Sequence, residues 1–222
     1  MTDMFLDFDE LDGRSRYKLL TATVVPRPIA LVSTVSANGV VNAAPFSFFN
    51  IFSEDPALAI LGLEARRDTN GMKDTTRNII DTGELVINLV DQKMGDAMAA
   101  CAADLPKDIS ELPFAGLTEA PSKRVTPPGI AESPIRLECR LFEMRKITSS
   151  RHLCIAEILA LHSRDGLIDP ENLHVDTSAY TPIGRLHGEH YVAVEHSFEI
   201  PVPHLPQTIA GTSGSPKEET GS

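Results

Sequence analysis

Lys73-Asp74-Thr75-Thr76 leads into Asn78-Ile79-Ile80, a stretch with the composition of a short helix. Asp74 is a residue type that caps such a helix. Lys73 and Thr75 fall where free N–H groups and the positive end of the helix dipole attract an anion. A phosphate group suits that chemistry, and a plain capped helix with a solvated lysine suits the same spacing. Ser33-Thr34-Val35 closes an apolar run, and Ala44 to Asn50 interleaves Ser47 and Asn50 with Phe46, Phe48 and Phe49. Strand alternation sends neighbouring side chains to opposite faces, so at least one of the three phenylalanines is expected in the core. Pro26-Arg27-Pro28 reads by itself as a rigid strand lead-in with a solvated arginine, and Arg67 reaches either an anion or the surface.

Seven histidines raise the question of a metal, with His187-Gly188-Glu189-His190 the most ligand-like group. Gly188 disfavours the helical spacing such a pair would need, and no metal is expected. Cys101, Cys139 and Cys154 are odd in number, lack a CxxC pair, and read as buried free thiols. No GxGxxG, Walker loop or GxSxG elbow is present, which disfavours a Rossmann dehydrogenase, a nucleotidase and an α/β-hydrolase.

The elements that must position these residues are mostly strands. A helix is expected over Arg14 to Thr21, then an extended backbone forced by Pro26 and Pro28. Ile29 to Ser36, the turn Ala37-Asn38-Gly39 and Val40-Val41 form a first hairpin. Strands follow at Ala57 to Leu63, Glu84 to Val90, Ile135 to Ile147 and Leu153 to Ser163. A helix from about Asp74 to Asp81 is stopped by Gly83, and a second is expected over Lys93 to Ala103. Thr126-Pro127-Pro128-Gly129 marks a turn inside one domain, because strand material continues on both sides. The pattern is that of a mainly β chain with a few helices, antiparallel and barrel-like. Three regions are expected: a lead-in over 1–13, one domain over 14–200, and a Pro-rich arm with a disordered tail over 201–222.

The chain has 222 residues, 42% of them hydrophobic and 23% charged, with no apolar run of membrane-spanning length. Its acidic N-terminus lacks the features of a secretory signal, so a soluble cytoplasmic protein is expected. Thirty-one acidic against twenty basic residues give a net charge of −11, which excludes nucleic acid as a partner in the absence of a basic stripe.

The blocks Pro26-Arg27-Pro28-Ile29-Ala30-Leu31-Val32-Ser33-Thr34-Val35 and Asn42-Ala43-Ala44-Pro45-Phe46-Ser47-Phe48-Phe49-Asn50 precede Ser53, Asp55-Pro56 and Lys73-Asp74-Thr75. In that order and spacing they resemble the flavin-binding core of the flavin reductase-like family, which includes flavoredoxins and reductases like nitrilotriacetate monooxygenase component B. The resemblance covers roughly residues 14 to 195. It implies an antiparallel Greek-key fold, the FMN-binding split β-barrel. It also implies FMN as cofactor, FAD being the lesser alternative, with NADH or NADPH as a transient co-substrate. Arg27, Pro28, Ser33, Thr34, Val35, Ser47, Phe48, Asn50, Arg67, Lys73, Asp74 and Thr75 are the flavin-contacting residues it implies, the last three with Arg67 at the phosphate. His162 falls where the family has a polar residue near the flavin or the dimer partner, and a hydrogen-bonded core histidine is an equal reading. Redox chemistry belongs to the cofactor, so no catalytic side chain is required. A homodimer is implied. The function implied is an NAD(P)H-dependent flavin reductase, with a monooxygenase as the kind of partner it could serve. An FMN electron carrier of the flavoredoxin kind and a non-catalytic split-barrel binding module are the alternatives.

Overall fold

Two stretches of strand that lie next to each other in the chain sit at opposite edges of the same sheet, and this closes the fold. A computed structural model describes residues 3–66, 71–106 and 108–202. Helix α1 (Gly13–Thr23) leads into β1 (Ala30–Val35), β2 (Val41–Phe46), β3 (Phe49–Glu54) and β4 (Ala57–Glu64). Helix α2 (Asp74–Thr82) precedes β5 (Glu84–Leu89), α3 (Gly95–Ala100), α4 (Glu111–Ala115) and the short β6 (Glu119–Ala120) and β7 (Gly129–Ile130). The long β8 (Ile135–Lys146) and β9 (Arg151–Ser163) follow, then β10 (Ile183–Arg185) and β11 (Tyr191–Ala193). The seven-stranded sheet runs β2-β1-β5-β8-β9-β4-β3. All its pairings are antiparallel. Only Ser47 and Phe48 separate β2 from β3, so the sheet must curl until its two edges come near each other, without β2 and β3 pairing. The result is a mainly β, split-barrel fold.

The first hairpin follows from its turn: Ser36 N–H bonds the Val40 carbonyl at 2.9 Å, and Gly39 takes φ 81°. Register pairs Ala30 with Phe46 through Val35 with Val41. β1 is buried on both faces, which explains its unbroken apolar run. Ala30 and Val32 join Leu61, Leu63, Leu85, Ile87 and Leu137 inside the barrel. Ile29 and Leu31 face outward against Met94, Met98, Leu112 and Leu117 of the helical layer.

Three differences from the sequence reading have local causes. The expected helix over Lys93 to Ala103 is a 3-10 turn, Gln92–Met94, followed by the six-residue α3. Glycine at position 95, where the geometry changes, weakens any continuous helix. α4 and β3 were not expected at all; β3 is an edge strand with a mostly exposed, bulged sequence, so it lacks the alternation that identifies strands. The expected cap at Asp74 is replaced: Lys73 is the N-cap, makes no side-chain cap bond, and Asp74 is the first helical residue. Of the expected arm and tail over 201–222, residues 203–222 lie outside the described residues, as does Arg67.

Candidate functional site

Helix α2 begins without a side-chain cap. Among the described residues, none of the N–H groups of Asp74, Thr75 and Thr76 donates to an acceptor, and the first return bond is Arg77 N–H to the Lys73 carbonyl at 3.1 Å. Three aligned donors and the helix dipole therefore point at whatever lies in front of them. In front of them lies a cleft of about 390 Å³ lined by Asn42, Ala44, Pro45, Phe46, Arg66, Lys73, Asp74, Thr75 and Glu111. Pro45, Phe46 and Lys73 also line a second cleft, of about 420 Å³, whose other walls include Tyr17, Thr21, Arg27, Ser47, Phe48, Gly62, Arg151 and Arg185. One end is thus built for an anion and the other is walled by aromatic rings and guanidinium groups, with Lys73 between them.

Each of these side chains is held by its element. Thr75 is buried; its Oγ1 accepts from Asn42 Nδ2 at 2.9 Å, leaving the hydroxyl hydrogen to donate. Arg66 crosses the smaller cleft to pair with Asp74 at 2.7 Å and Asp104 at 3.5 Å. Lys73 makes no ion pair with any described residue. Ser47 and Phe48 form the corner between β2 and β3. Phe48 packs on Gly62, whose N–H bonds the Phe48 carbonyl at 2.7 Å, and a Cβ at position 62 would stand 2.9 Å from Phe48 Cβ. Only glycine lets β4 approach this closely.

Burial pushes the Cys101 thiol, on the wall of the smaller cleft, up to about 12, with the Glu111 charge adding to it. It is a protonated thiol near neutral pH and offers no thiolate for catalysis. Burial also raises the Glu111 carboxyl, partly offset by the Ala43 N–H that bonds it at 2.9 Å.

The structure distributes the twelve expected contact residues unevenly. Ser47, Phe48, Lys73, Asp74 and Thr75 line the two clefts. Ser33 and Thr34 do not present their side chains there: Ser33 Oγ donates to the Pro128 carbonyl at 2.6 Å, and Thr34 Oγ1 accepts from Asn78 at 3.0 Å. Both are fully buried, because β1 is covered on both faces. Val35, Pro28 and Asn50 line neither cleft, and Asn50 is exposed, its Oδ1 accepting the Ile51 N–H at 2.9 Å. Arg27 is 8% exposed rather than solvated, and it donates to the carbonyls of Thr21 at 2.5 Å, Val24 at 3.3 Å and Leu186 at 2.6 Å. It borders the larger cleft as a clamp joining α1 to the chain beyond β10. Gly184 fits against Pro26, where a Cβ would meet Pro26 Cβ at 2.6 Å, and Arg27 and Arg185 exchange backbone bonds of 3.0 and 2.8 Å. The Pro26-Arg27-Pro28 motif and the Gly184-Arg185 segment are two halves of one joint.

Residues that sequence reasoning passed over include Arg151, Arg185, Tyr17, Asn42 and Glu138. Asn42 bonds Thr75 33 positions on, Arg151 faces Glu64 on another strand, and Glu138 gathers N–H groups 13 to 15 positions back, contacts that no local pattern carries. His162 Nε2 bonds the Glu138 carboxylate, the bonded-histidine alternative. Glu138 also accepts the N–H groups of Lys123, Arg124 and Val125 at 2.8, 2.5 and 3.2 Å. His187 and His190 have ring centroids 4.8 Å apart, and among the described residues no three ligand-type side chains cluster around a possible metal position.

A family model described as flavin reductase like domain matches residues 22–184, and the chain belongs to that family. A relative, an uncharacterized protein of Aquifex aeolicus, is 40% identical over 183 residues, 82% of this chain and 92% of that protein. Among solved structures, the 2-nitrobenzoate 2-nitroreductase NbaA of Pseudomonas fluorescens is 34% identical, covering 91% of this chain and 98% of its own, with TM-score 0.83. Nitrilotriacetate monooxygenase component B from Bacillus cereus is 32% identical, covering 90% and 100%, with TM-score 0.84. The family and these neighbours support a flavin-related redox function.

Proposed function

We propose that this protein is an FMN-dependent flavin reductase that takes hydride from NADH or NADPH. The observation carrying this reading is the uncapped N-terminus of α2, with Lys73 beside it, opening onto two clefts that share a wall. A mononucleotide fits that donor set. Its phosphate would meet the N–H groups of 74–76, the Thr75 hydroxyl and the Lys73 ammonium, and its ring would lie along Pro45 and Phe46, which wall both clefts. FAD would have to pass its second phosphate beyond Arg66 and Asp104, which bridge the far side of the smaller cleft at 3.5 Å. When bound, the flavin supplies the hydride-accepting chemistry. The chain's own part is to hold the phosphate, wall the ring and keep Cys101 protonated and inert.

The test is a visible absorption spectrum of purified protein loaded with FMN, recorded before and after NADH and then NADPH without oxygen. Bleaching by either supports the reductase. A yellow protein bleached by neither, but reduced by a redox protein, selects the flavoredoxin-like carrier instead, and a chain that takes up no flavin is the non-catalytic module. The reading implies a cytoplasmic enzyme whose reduced flavin serves a partner such as a monooxygenase.

We further propose a homodimer. Phe52 and Phe142 are the extra residues of two β-bulges, on β3 and β8, and are 65% and 56% exposed. Bulges re-aim a side chain, and both here aim a phenylalanine outward. β3 is in addition a free sheet edge, which a second subunit would cover.

A further inference from the structure

This inference rests on the flavin-linked reading and adds a second ligand to the larger cleft. Four cationic side chains line that cleft, and three have their roles. Arg27 donates to backbone carbonyls of its own chain. Arg185 bonds the Gly188 carbonyl and the Tyr191 hydroxyl while stacking on the Tyr191 ring at 4.7 Å. Lys73 stands at the helix end. Arg151 differs from all three. It forms a loose ion pair with Glu64, whose carboxylate oxygen lies 3.6 Å away, too far for a hydrogen bond. Among the described residues its guanidinium donates to no acceptor. It is held instead over the Phe48 ring, 5.0 Å from the centroid, with the Tyr17 ring 6.3 Å from that of Phe48.

A guanidinium in a partly enclosed cleft, with one distant carboxylate beside it and no hydrogen bond from its donors to a described residue, is a fork shaped for two oxygens in one plane. Phe48 and Tyr17 beside it supply aromatic surface. Phe48 remains 37% exposed and Tyr17 44%, although both are large rings. The cleft's cations also outnumber Glu64 and Glu189 on a chain of net charge −11, so the local field runs against the molecule's own and concentrates anions at this point. A free phosphate would satisfy the fork but would leave the rings uncovered. We propose that the larger cleft binds a planar aromatic carboxylate, its ring against Phe48 and Tyr17 and its carboxylate on Arg151.

The experiment uses benzoate as probe, titrated by calorimetry into the protein with and without FMN and followed in the loaded protein by the flavin spectrum. Saturable binding is expected in the parent. Arg151→Gln should weaken it roughly ten- to hundredfold and Phe48→Ala a few-fold, with Arg151→Lys between parent and Arg151→Gln. Benzamide, which keeps the ring and loses the charge, should bind the parent and Arg151→Gln alike. Circular dichroism melting checks that each variant is folded. If FMN fails to bind while benzoate still saturates in an Arg151-dependent way, the flavin reading fails and this one stands. Benzoate binding that is absent from the parent, or equal in Arg151→Gln, overturns the proposal. So does inorganic phosphate that binds through Arg151 more tightly than benzoate does.

Discussion

Lys73 and Thr75 differ in what they risk when removed. Lys73 is an N-cap with no cap bond and no ion pair among the described residues, so its side chain is spare for a ligand and costs the fold nothing to lose. Lys73→Ala should weaken FMN binding by about 1.5 to 3 kcal/mol, roughly ten- to hundredfold, with an unchanged melting temperature. Thr75 is buried and anchored to Asn42, so Thr75→Ala should lower affinity only a few-fold, yet should also cost stability of ~1 kcal/mol. A flavin titration beside a urea melt separates the two behaviours, and identical effects on both quantities for both variants would contradict this account. Arg27→Met is the contrasting case. It orphans the buried Thr21 carbonyl and releases the partly buried Val24 and Leu186 carbonyls, and should destabilise by ~1 to 3 kcal/mol for the unsatisfied group. Urea denaturation reads that loss directly. At this scale the sequence was legible where chemistry is local. Lys73, Thr75 and Phe48 stand at the clefts because a helix start and a strand corner announce themselves within a few residues. The side-chain partners of Ser33, Thr34 and Asn50 were not legible, since they depend on which face of which strand is covered.

Among the elements, the segment from Ser122 to Ile130 is irregular in shape yet firmly fastened. Glu138 accepts three of its N–H groups, Glu84 accepts Thr126 N–H at 2.8 Å, and Asn88 accepts Ile130 N–H at 2.8 Å. Burial alone would raise the Glu138 carboxyl, but the N–H groups of Lys123 and Arg124 and the His162 contact outweigh it and hold the carboxyl below the usual range. A depressed folded value means that the stabilisation is complete above the unfolded value of about 4.3 and is lost as pH falls through the folded one. Glu138→Gln should therefore cost stability at neutral pH, on the order of 2 to 3 kcal/mol, and flatten the decline of stability at acid pH. Melting temperatures of parent and variant at pH 7 and at pH 3 should converge toward the acid end; a constant gap would remove the carboxylate from the explanation. The strands were readable from their β-branched runs and turns, down to the hairpin at Gly39. β3 was not, because a bulged edge strand shows neither alternation nor a continuous apolar run.

For the whole molecule, the testable consequence is assembly. If Phe52 and Phe142 lie under a second subunit, Phe52→Asp and Phe142→Asp should each shift light-scattering mass from twice the chain's mass toward a single chain at micromolar concentration. A parent protein that is monomeric from the outset contradicts the dimer. The barrel class was visible from the order and spacing of motifs over most of the chain. The way the barrel closes was not, because it depends on β2 and β3 reaching opposite edges of one sheet. That pairing is set by contacts between β4 and β9 far along the chain.

The joint between Arg27 and the Arg185–Leu186 segment also has a consequence for biogenesis. Its bonds span 159 positions, and Arg185 and Gly188 themselves form part of the larger cleft's wall. A ribosome emits the chain from the N-terminus, so Arg27 has its Thr21 and Val24 carbonyls at hand from the start but waits for its Leu186 partner while nearly all of the barrel is still being made. The nascent chain can shape strands and even expose the start of α2, but the larger cleft has a missing wall until the last strands emerge. On the proposed placement of the flavin, its capture would be a late event in synthesis, and a chain truncated before β10 would leave the ribosome without a complete larger cleft.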